Sequence, residues 1–143
     1  MRLDLLLLLA AVTPLAAQGP TPDTTLDTTR WSPALSMKYA GVSGIDLSPD
    51  GRFVAYVVRR PVMEGDKSEY LSHVWIAAVD GSMNHQYTQG DHSASNPQFS
   101  PDGEYLAFTS SRSDKNQVWV MRVRGGEAQP VTDADPGVSA FAW

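Results

Sequence analysis

The sequence predicts an all-β protein. Eleven glycines and ten prolines are distributed among short apolar runs, as in chains of many short strands joined by tight turns. One turn motif, Ser-Pro-Asp-Gly, occurs twice, at residues 48–51 and 100–103, and an apolar run follows each copy. A hydrophobic content of 42% with 19% charged residues is typical of a folded domain rather than of a disordered tail.

Residues 1–17 are predicted to be a signal peptide. Arg2 supplies a positive start, an apolar run follows, and the segment ends in small residues at Ala17. Cleavage after Ala17 would give a mature chain that begins at Gln18, in the periplasm or outside the cell. A membrane anchor is the alternative, but this apolar run is far shorter than the roughly 20 residues that span a bilayer.

Residues 18–43 are predicted to form a linker and a short helix. The first part is rich in Pro, Thr and Asp, which is typical of a solvated linker. Ser32 can then cap a helix and Pro33 suits its first position. Three residues at a spacing of four would share one helix face and pack against the first strands: Trp31, Leu35 and Tyr39.

From Gly44 onward the chain repeats itself. The motif Ser-Pro-Asp-Gly and the strand after it recur 52 residues further along, whereas Val74-Trp75-Ile76 recurs as Val118-Trp119-Val120 after 44 residues. The difference of eight residues indicates an insertion in the first copy. It falls in the polar stretch 59–72, which is therefore predicted to be a long loop between strands. The predicted repeats are 44–95, 96–140 and a truncated third that starts at 141–143.

Each repeat is predicted to contain four strands. In the second repeat these would be residues 96–99, 105–110, 117–122 and 129–132. The strands after the two turns are apolar almost without alternation, which indicates that both of their faces are covered. A radial stack of four-stranded sheets meets this demand and uses repeats of about 40 to 50 residues. The sequence thus predicts a β-propeller fragment, with a β-sandwich as the alternative because a sandwich does not require a repeated sequence.

The end of the sequence supports the repeat pattern. Phe141, Ala142 and Trp143 stand in the same register as the strand that ends at Phe99, 44 residues earlier. An unpaired strand that exposes two aromatic residues invites aggregation. We therefore expect the complete gene to continue with another Ser-Pro-Asp-Gly turn and further blades.

Charge and cysteine content exclude several classes of function. The formal net charge of −5 leaves no basic face for nucleic acid or for an anionic membrane. The absence of cysteine excludes disulfides, thiolate metal sites, a lipid-modified cysteine and a cysteine nucleophile. No cofactor is predicted.

The repeats resemble those of a known family. The resemblance rests on the Ser-Pro-Asp-Gly turns, on the strands that hold Trp75 and Trp119, and on the turn Gly125-Gly126-Glu127-Ala128 ahead of Thr132. On these residues, the chain from 31 to 143 resembles propeller repeats of the prolyl oligopeptidase family, especially its acylaminoacyl-peptidase-like and dipeptidyl-peptidase-like members. The Tol-system periplasmic propeller shares the repeat motif. The Ser32-Pro33 helix and the insertion with Lys67-Ser68-Glu69 favour the peptidase family.

The resemblance implies a propeller of about seven or eight blades placed over a carboxyl-terminal α/β-hydrolase domain. That domain would hold a Ser-Asp-His triad, and the propeller would restrict access to oligopeptide substrates. The sequence contains no G-x-S-x-G nucleophile elbow, because residues 41–45 and 137–141 both fail at the last position. This segment is therefore predicted to be inactive alone. The alternative function is a non-catalytic periplasmic Tol-like propeller that binds protein partners.

The reactive residue types form no predicted site. Asp91, His92 and Ser93 contain the three triad types, but neighbouring residues in one loop point apart instead of converging. His73, His85 and His92 lack a metal-ligand spacing and are predicted to be surface histidines.

Two acidic pairs are further candidates. Asp133 and Asp135 precede Pro136 and indicate a turn, because a calcium site needs more oxygen ligands. Glu64 and Glu69 are the residues of interest if acidic propeller side chains bind a substrate amino terminus, as in some dipeptidyl peptidases. A solvated loop is the simpler prediction for both, so no catalytic, cofactor or metal residue is assigned.

Overall fold

Two four-stranded antiparallel sheets make up the computed structural model, which describes residues 31–143. The predicted signal peptide 1–17 and most of the predicted linker lie outside the described residues. The first sheet, blade 1, has the order β1-β2-β3-β4, and the second, blade 2, has the order β5-β6-β7-β8. The strands are β1 (Gly41–Leu47), β2 (Phe53–Glu64), β3 (Lys67–Ala78), β4 (Asn84–Gln86), β5 (Ala94–Phe99), β6 (Tyr105–Ser113), β7 (Lys115–Arg122) and β8 (Gln129–Pro130).

The predicted short helix is a single turn, α1 (Pro33–Ser36). The Ser32 hydroxyl accepts a hydrogen bond from the Leu35 N–H at 3.1 Å, as expected of a capping residue. Only Leu35 of the three residues predicted to share a face is buried, whereas Trp31 and Tyr39 are exposed. The turn ends before Tyr39, so a spacing of four no longer places these residues on one side.

Both Ser-Pro-Asp-Gly turns use the same hydrogen bonds. In the first turn the Ser48 hydroxyl donates to Asp50 Oδ1 at 2.6 Å and accepts from the Phe53 N–H at 2.9 Å. In the second turn Ser100, Asp102 and Tyr105 repeat these bonds at 2.6 and 2.9 Å. Both serines are buried, so each hydroxyl is a fixed part of the strand connection.

We predict that Ser100→Ala lowers the free energy of unfolding by about 1 to 3 kcal/mol, since it leaves buried polar groups of the turn without their partner. Urea denaturation measures the change. Ser68→Ala is the control, because Ser68 is exposed in β3 and such surface changes stay within about 0.5 kcal/mol. Equal midpoints for the two variants would contradict the assigned role of Ser100.

The prediction of a polar loop at residues 59–72 is wrong. Strands β2 and β3 pair continuously from Phe53 opposite Ala78 to Glu64 opposite Lys67. Only Gly65 and Asp66 form the loop, and Gly65 has a φ of 58°, as a glycine at the first position of a two-residue type II′ hairpin does. The insertion thus lengthens a β-hairpin. We call residues 60–71 and their turn the hairpin arm.

The outer strand of blade 2 is shorter than predicted. Strand β8 is Gln129–Pro130 instead of residues 129–132. The Val131 N–H still bonds to the Val118 carbonyl at 2.9 Å, but the Val118 N–H donates to the Thr132 hydroxyl instead of to a backbone carbonyl. A side chain therefore replaces the last ladder bond and ends the strand.

The antiparallel order defines two ends of the blades. The hairpin arm, the β4–β5 connection and the start of β1 lie at one end, which we call the hairpin face. The Ser-Pro-Asp-Gly turns and the β3–β4 and β7–β8 turns lie at the other end, the turn face. Among the described residues 31–143, no helix is long and apolar enough to span a membrane.

The hydrophobic core lies where the two blades meet. Strand β5 contacts β1, β2 and β3 of blade 1. Small and β-branched side chains of blade 1 pack there against larger ones of blade 2. The core residues are Ala55, Val57, Val74, Ile76, Ala94, Phe99, Leu106, Phe108 and Met121.

A β-bulge recurs in the first strand of each blade. Its residues, Gly44 and Asn96, have φ values of 56° and 52°, and the pairing register shifts at both places. A Cβ on Gly44 would lie 3.2 Å from Val57 Cγ2 and 3.4 Å from Pro97 Cδ of the next blade. Asn96 can occupy the left-handed region because asparagine tolerates it. Position 44 needs a glycine for a second reason, since a side chain there would crowd its neighbours.

We predict that Gly44→Ala costs about 1 to 2 kcal/mol for the left-handed backbone and roughly 1 kcal/mol or more for crowding against the next blade. Gly81→Ala is the matched control, since Gly81 has a φ of 78° and a Cβ added there would meet nothing within 4 Å. Thermal unfolding of both variants measures their losses of stability, and the difference between the two losses gives the cost of crowding at position 44. Equal losses of stability would mean that the blades do not approach closely at Gly44.

Candidate functional site: the hairpin face and the joints between blades

Each blade holds its outer strand with a threonine. The Thr88 hydroxyl accepts from the Val74 N–H at 2.9 Å, and the Thr132 hydroxyl accepts from the Val118 N–H at the same distance. Thr88 is buried. The two threonines are 44 residues apart, as are the two valines, so the contact belongs to the repeat.

The side chain next to this threonine differs between the blades. In blade 2 the buried Gln117 accepts from Thr132 Oγ1 at 2.7 Å and from the Ala134 N–H at 3.0 Å. Its amide also donates to the Ala134 carbonyl at 2.8 Å. In blade 1 the same position is His73, whose Nδ1 lies 3.5 Å from Thr88 Oγ1. Burial, and then the charge of Arg112, hold the pKa of His73 below its usual value.

An arginine covers the tryptophan of each blade. The Arg60 guanidinium lies 5.3 Å from the Trp75 ring centroid, and Arg112 lies 5.0 Å from that of Trp119. The sequence analysis identified the two tryptophans as equivalent positions of the repeat but missed the arginines. Arg60 and Arg112 are 52 residues apart, the same offset as that between the two Ser-Pro-Asp-Gly turns. These cation–π contacts keep the apolar rings covered while the charge stays near water.

The hairpin arm presents an exposed apolar strip beside a charge. Met63 and Tyr70 are both exposed, and the Arg59 guanidinium lies 4.3 Å from the Tyr70 ring centroid. Pro61 opposes Tyr70 in the hairpin, and it has no N–H to offer to an added strand. The exposed side chains of Met63 and Tyr70 are therefore the part of the arm best suited to contacts.

A cleft of about 880 Å³ separates the blades at the turn face. Phe53, Met83 and Tyr87 line it, with Arg124 and Glu104 among its charged residues. The Tyr87 hydroxyl donates to the Arg122 carbonyl across the blades, and burial raises the pKa of Tyr87 to about 12. Tyr87 is therefore a neutral hydrogen-bond donor that joins the two sheets.

The residues of triad type do not form a catalytic group. Asp91 and His92 are exposed in the β4–β5 connection. The Ser93 hydroxyl accepts from the Ser72 N–H at 3.1 Å, and the Ser93 carbonyl accepts from the Ser110 hydroxyl at 2.9 Å. Ser93 thus ties the connection to both blades, and its hydroxyl is committed to a backbone contact.

The histidines and acidic residues also stay apart. His73 lies in β3, His85 in β4 near the Tyr87 ring, and His92 in the connection. Within residues 31–143, no three His, Cys, Asp or Glu residues gather as metal ligands would. Asp135 pairs with Lys115 at 2.7 Å. Asp133 and Glu69 are exposed, the latter on the hairpin arm rather than in a loop, and the side chain of Glu64 lies outside the described part.

The innermost strands are joined from blade to blade. The Phe99 N–H of β5 donates to Asp46 Oδ2 of β1 at 2.7 Å. One blade further on, Gln98 donates its side-chain amide to the Phe141 carbonyl at 3.0 Å, and its own carbonyl accepts from Trp143 Nε1 at 3.1 Å. The segment with Phe141 and Trp143 thus lies against β5 much as β5 lies against β1.

We predict that Asp46→Ala lowers the free energy of unfolding by about 1 to 2 kcal/mol, because the Phe99 N–H loses a charged acceptor. Asp46→Asn keeps an acceptor oxygen and should lose less than half of that. Urea denaturation of both variants measures the difference. If both variants matched the unchanged protein, the bond between the blades would contribute nothing to stability.

Fold and contacts together define two neighbouring blades of a β-propeller. No family model matches the sequence. The chain is 37% identical over 97 residues to the uncharacterized peptidase YuxL of Bacillus subtilis, covering 67% of this chain and 14% of that protein. It is 26% identical to dipeptidyl-peptidase 5 of Porphyromonas endodontalis, covering 100% of this chain and 21% of that protein.

Solved structures give the same result for the fold. The acylaminoacyl peptidase of Pyrococcus horikoshii matches with a TM-score of 0.56 and 27% identity, over 69% of this chain and 15% of that one. A protein described as TolB from Agrobacterium tumefaciens matches with a TM-score of 0.55 and 27% identity, over 68% and 32%. This chain spans less than a third of each of these proteins. It is a propeller segment like those of prolyl oligopeptidase-family peptidases.

Proposed function

We propose that this chain is the amino-terminal propeller part of an exported serine peptidase that hydrolyses oligopeptides. The observation that carries the proposal is the 37% identity over 97 residues to a peptidase, together with the match to dipeptidyl-peptidase 5 over the whole chain. The chemistry would belong to an α/β-hydrolase domain encoded beyond this segment. The blades would contribute shape and contacts, not reacting groups.

In this proposal the propeller gates access to the hydrolase domain from its hairpin face. That face carries the start of β1, the hairpin arm and the connection that Ser93 ties to both blades. An exposed Met63 and an Arg59-stacked Tyr70 are side chains of the kind that protein contacts favour. A rigid face with one raised arm would admit extended peptides and hold back folded proteins.

Export is the second part of the proposal. The apolar run that ends at Ala17 supports a signal peptide with cleavage after that residue. The mature protein would then begin at Gln18 in the periplasm or outside the cell. Amino-terminal sequencing of the secreted or periplasmic protein checks this, and a product that retains Met1 would contradict it.

A Tol-like propeller that binds protein partners is the second candidate. The TM-score of 0.55 to the TolB structure favours it, as does a 30% identity over 87 residues to the TolB homolog of Chlorobium luteolum. The two candidates differ in the sequence that follows the blades, because only the peptidase needs a nucleophile elbow with a downstream Asp and His.

We predict that the complete gene product reacts with a fluorophosphonate probe of serine hydrolases and releases nitroaniline from peptidyl nitroanilides. Residues 1–143 alone should do neither, because they hold no nucleophile elbow. The complete protein with His92→Ala is the control and should still react with the fluorophosphonate probe, since His92 is an exposed loop residue and belongs to no triad.

Two results would decide against the proposal. A complete gene product that binds no fluorophosphonate and cleaves no peptide would leave the Tol-like function. Equal turnover of oligopeptides and of folded proteins would support the peptidase activity but contradict the proposal that the propeller restricts access.

A further inference from the structure

The repeat allows a direct comparison of His73 with Gln117. Both side chains stand beside the threonine that holds the outer strand of their blade. Gln117 is a neutral side chain that makes three hydrogen bonds to the segment Thr132 to Ala134. His73 is the one of the pair that can change its charge near neutral pH.

Comparison with blade 2 suggests the direction of the contact between Thr88 Oγ1 and His73 Nδ1, which are 3.5 Å apart. In blade 2 the threonine hydroxyl donates to Gln117 Oε1 while it accepts the Val118 N–H. If Thr88 behaves alike, its hydroxyl donates to His73 Nδ1, and the ring carries its proton on Nε2. A protonated imidazole has a proton on both nitrogens and accepts nothing. Protonation would therefore take away the acceptor of the buried Thr88 hydroxyl.

The charges around His73 also oppose protonation. Arg112 of β6 contributes a positive charge that the ring senses, and Arg112 lines a small cavity of about 220 Å³ together with Thr88 and Glu127. Arg60 of β2 lies over the neighbouring Trp75. Among the side chains that the structure describes, a set that leaves out Glu64, no carboxylate forms an ion pair with either arginine.

The carboxylates of the neighbouring segments are exposed to solvent. Glu69 lies further along β3 on the hairpin arm, Asp91 and His92 lie in the connection after Thr88, and Glu127 borders the cavity. Each of the three carboxylates is exposed to solvent, so water screens its attraction for a charged ring. The half-buried ring is left with the nearby guanidinium of Arg112 as its main charged neighbour.

We propose that His73 makes the joint between blade 1 and the β4–β5 connection sensitive to acid. In this proposal the neutral ring accepts from the Thr88 hydroxyl, 3.5 Å away, and that hydroxyl in turn accepts from the Val74 N–H. When the ring gains a proton, this pair of contacts weakens and the connection that carries Asp91, His92 and Ser93 loosens at the hairpin face. Blade 2 lacks the response because Gln117 does not titrate.

The pH window follows from the shift of the pKa. Since the pKa of His73 is lower in the folded chain than the usual 6.5, the unfolded or open form binds more protons below that pH. The stabilising contact is complete above about pH 6.5 and decreases as the pH falls through and below this value. Each unit of lowered pKa corresponds to about a tenfold change in the opening equilibrium.

Hydrogen exchange of named amides tests the proposal in the intact chain. The Tyr87 and Thr88 N–H groups bond to the Val74 carbonyl, and the Val131 N–H bonds to the Val118 carbonyl. After correction for the intrinsic exchange rate, we expect opening at Tyr87 and Thr88 to increase by up to about tenfold between pH 7.5 and 5.5. Opening at Val131 should stay constant over the same range.

Reciprocal substitutions supply matched controls. His73→Gln gives blade 1 the residue of blade 2 and should remove the increase at Tyr87 and Thr88. Gln117→His should transfer the increase to Val131 and to the Ala134 N–H that Gln117 holds. An increase that persists in His73→Gln would overturn the proposal, since another group would then cause it.

A measurement on the unchanged protein covers the case in which His73→Gln does not fold. Proton NMR of the His73 ring between pH 8 and 5 gives its pKa directly. We expect a midpoint below 6.5 and a simultaneous change in the Thr88 amide resonance. A midpoint above 6.5, or a titration that leaves Thr88 unaffected, would refute the assignment.

Discussion

The constraint on which this structure depends is the coverage of both faces of each sheet. An antiparallel sheet that is apolar on two sides cannot stay in water, because each exposed face costs roughly 25 cal/mol for every Å² of apolar surface. Blade 1 meets this demand on one face by packing Val57, Val74 and Ile76 against Leu106 and Phe108 of blade 2. Strand β5 brings the two sheets together through its contacts with β1, β2 and β3.

The polar groups of the repeat make that packing specific. Ser48 and Ser100 fix the turns after the innermost strands, while Thr88 and Thr132 end the outermost ones. The two serines satisfy backbone N–H groups at the starts of β2 and β6, and the two threonines satisfy N–H groups of β3 and β7 just beyond the point where the short outer strands stop. Apolar contacts alone would tolerate sliding of one sheet on another, whereas these bonds set the position of each strand.

Differences between the blades are where function can reside. The repeat keeps the turns, the threonines and the stacked tryptophans, so these residues are explained by folding alone. The hairpin arm and the exchange of Gln117 for His73 have no such explanation, and both lie towards the hairpin face. A propeller that gates a neighbouring domain would need distinct blades of this kind, since identical blades present an identical rim.

The sequence by itself determined the all-β class, the two repeats, the turn chemistry and the short capped helix, because these depend on local conformational preferences and on spacing. Only the tertiary structure decided the rest. The charged residues of the insertion indicated a loop, yet continuous pairing with β3 makes β2 a long strand. The roles of Arg112 and His73 were hidden for the same physical reason, since burial and contacts between sheets arise from residues far apart along the chain.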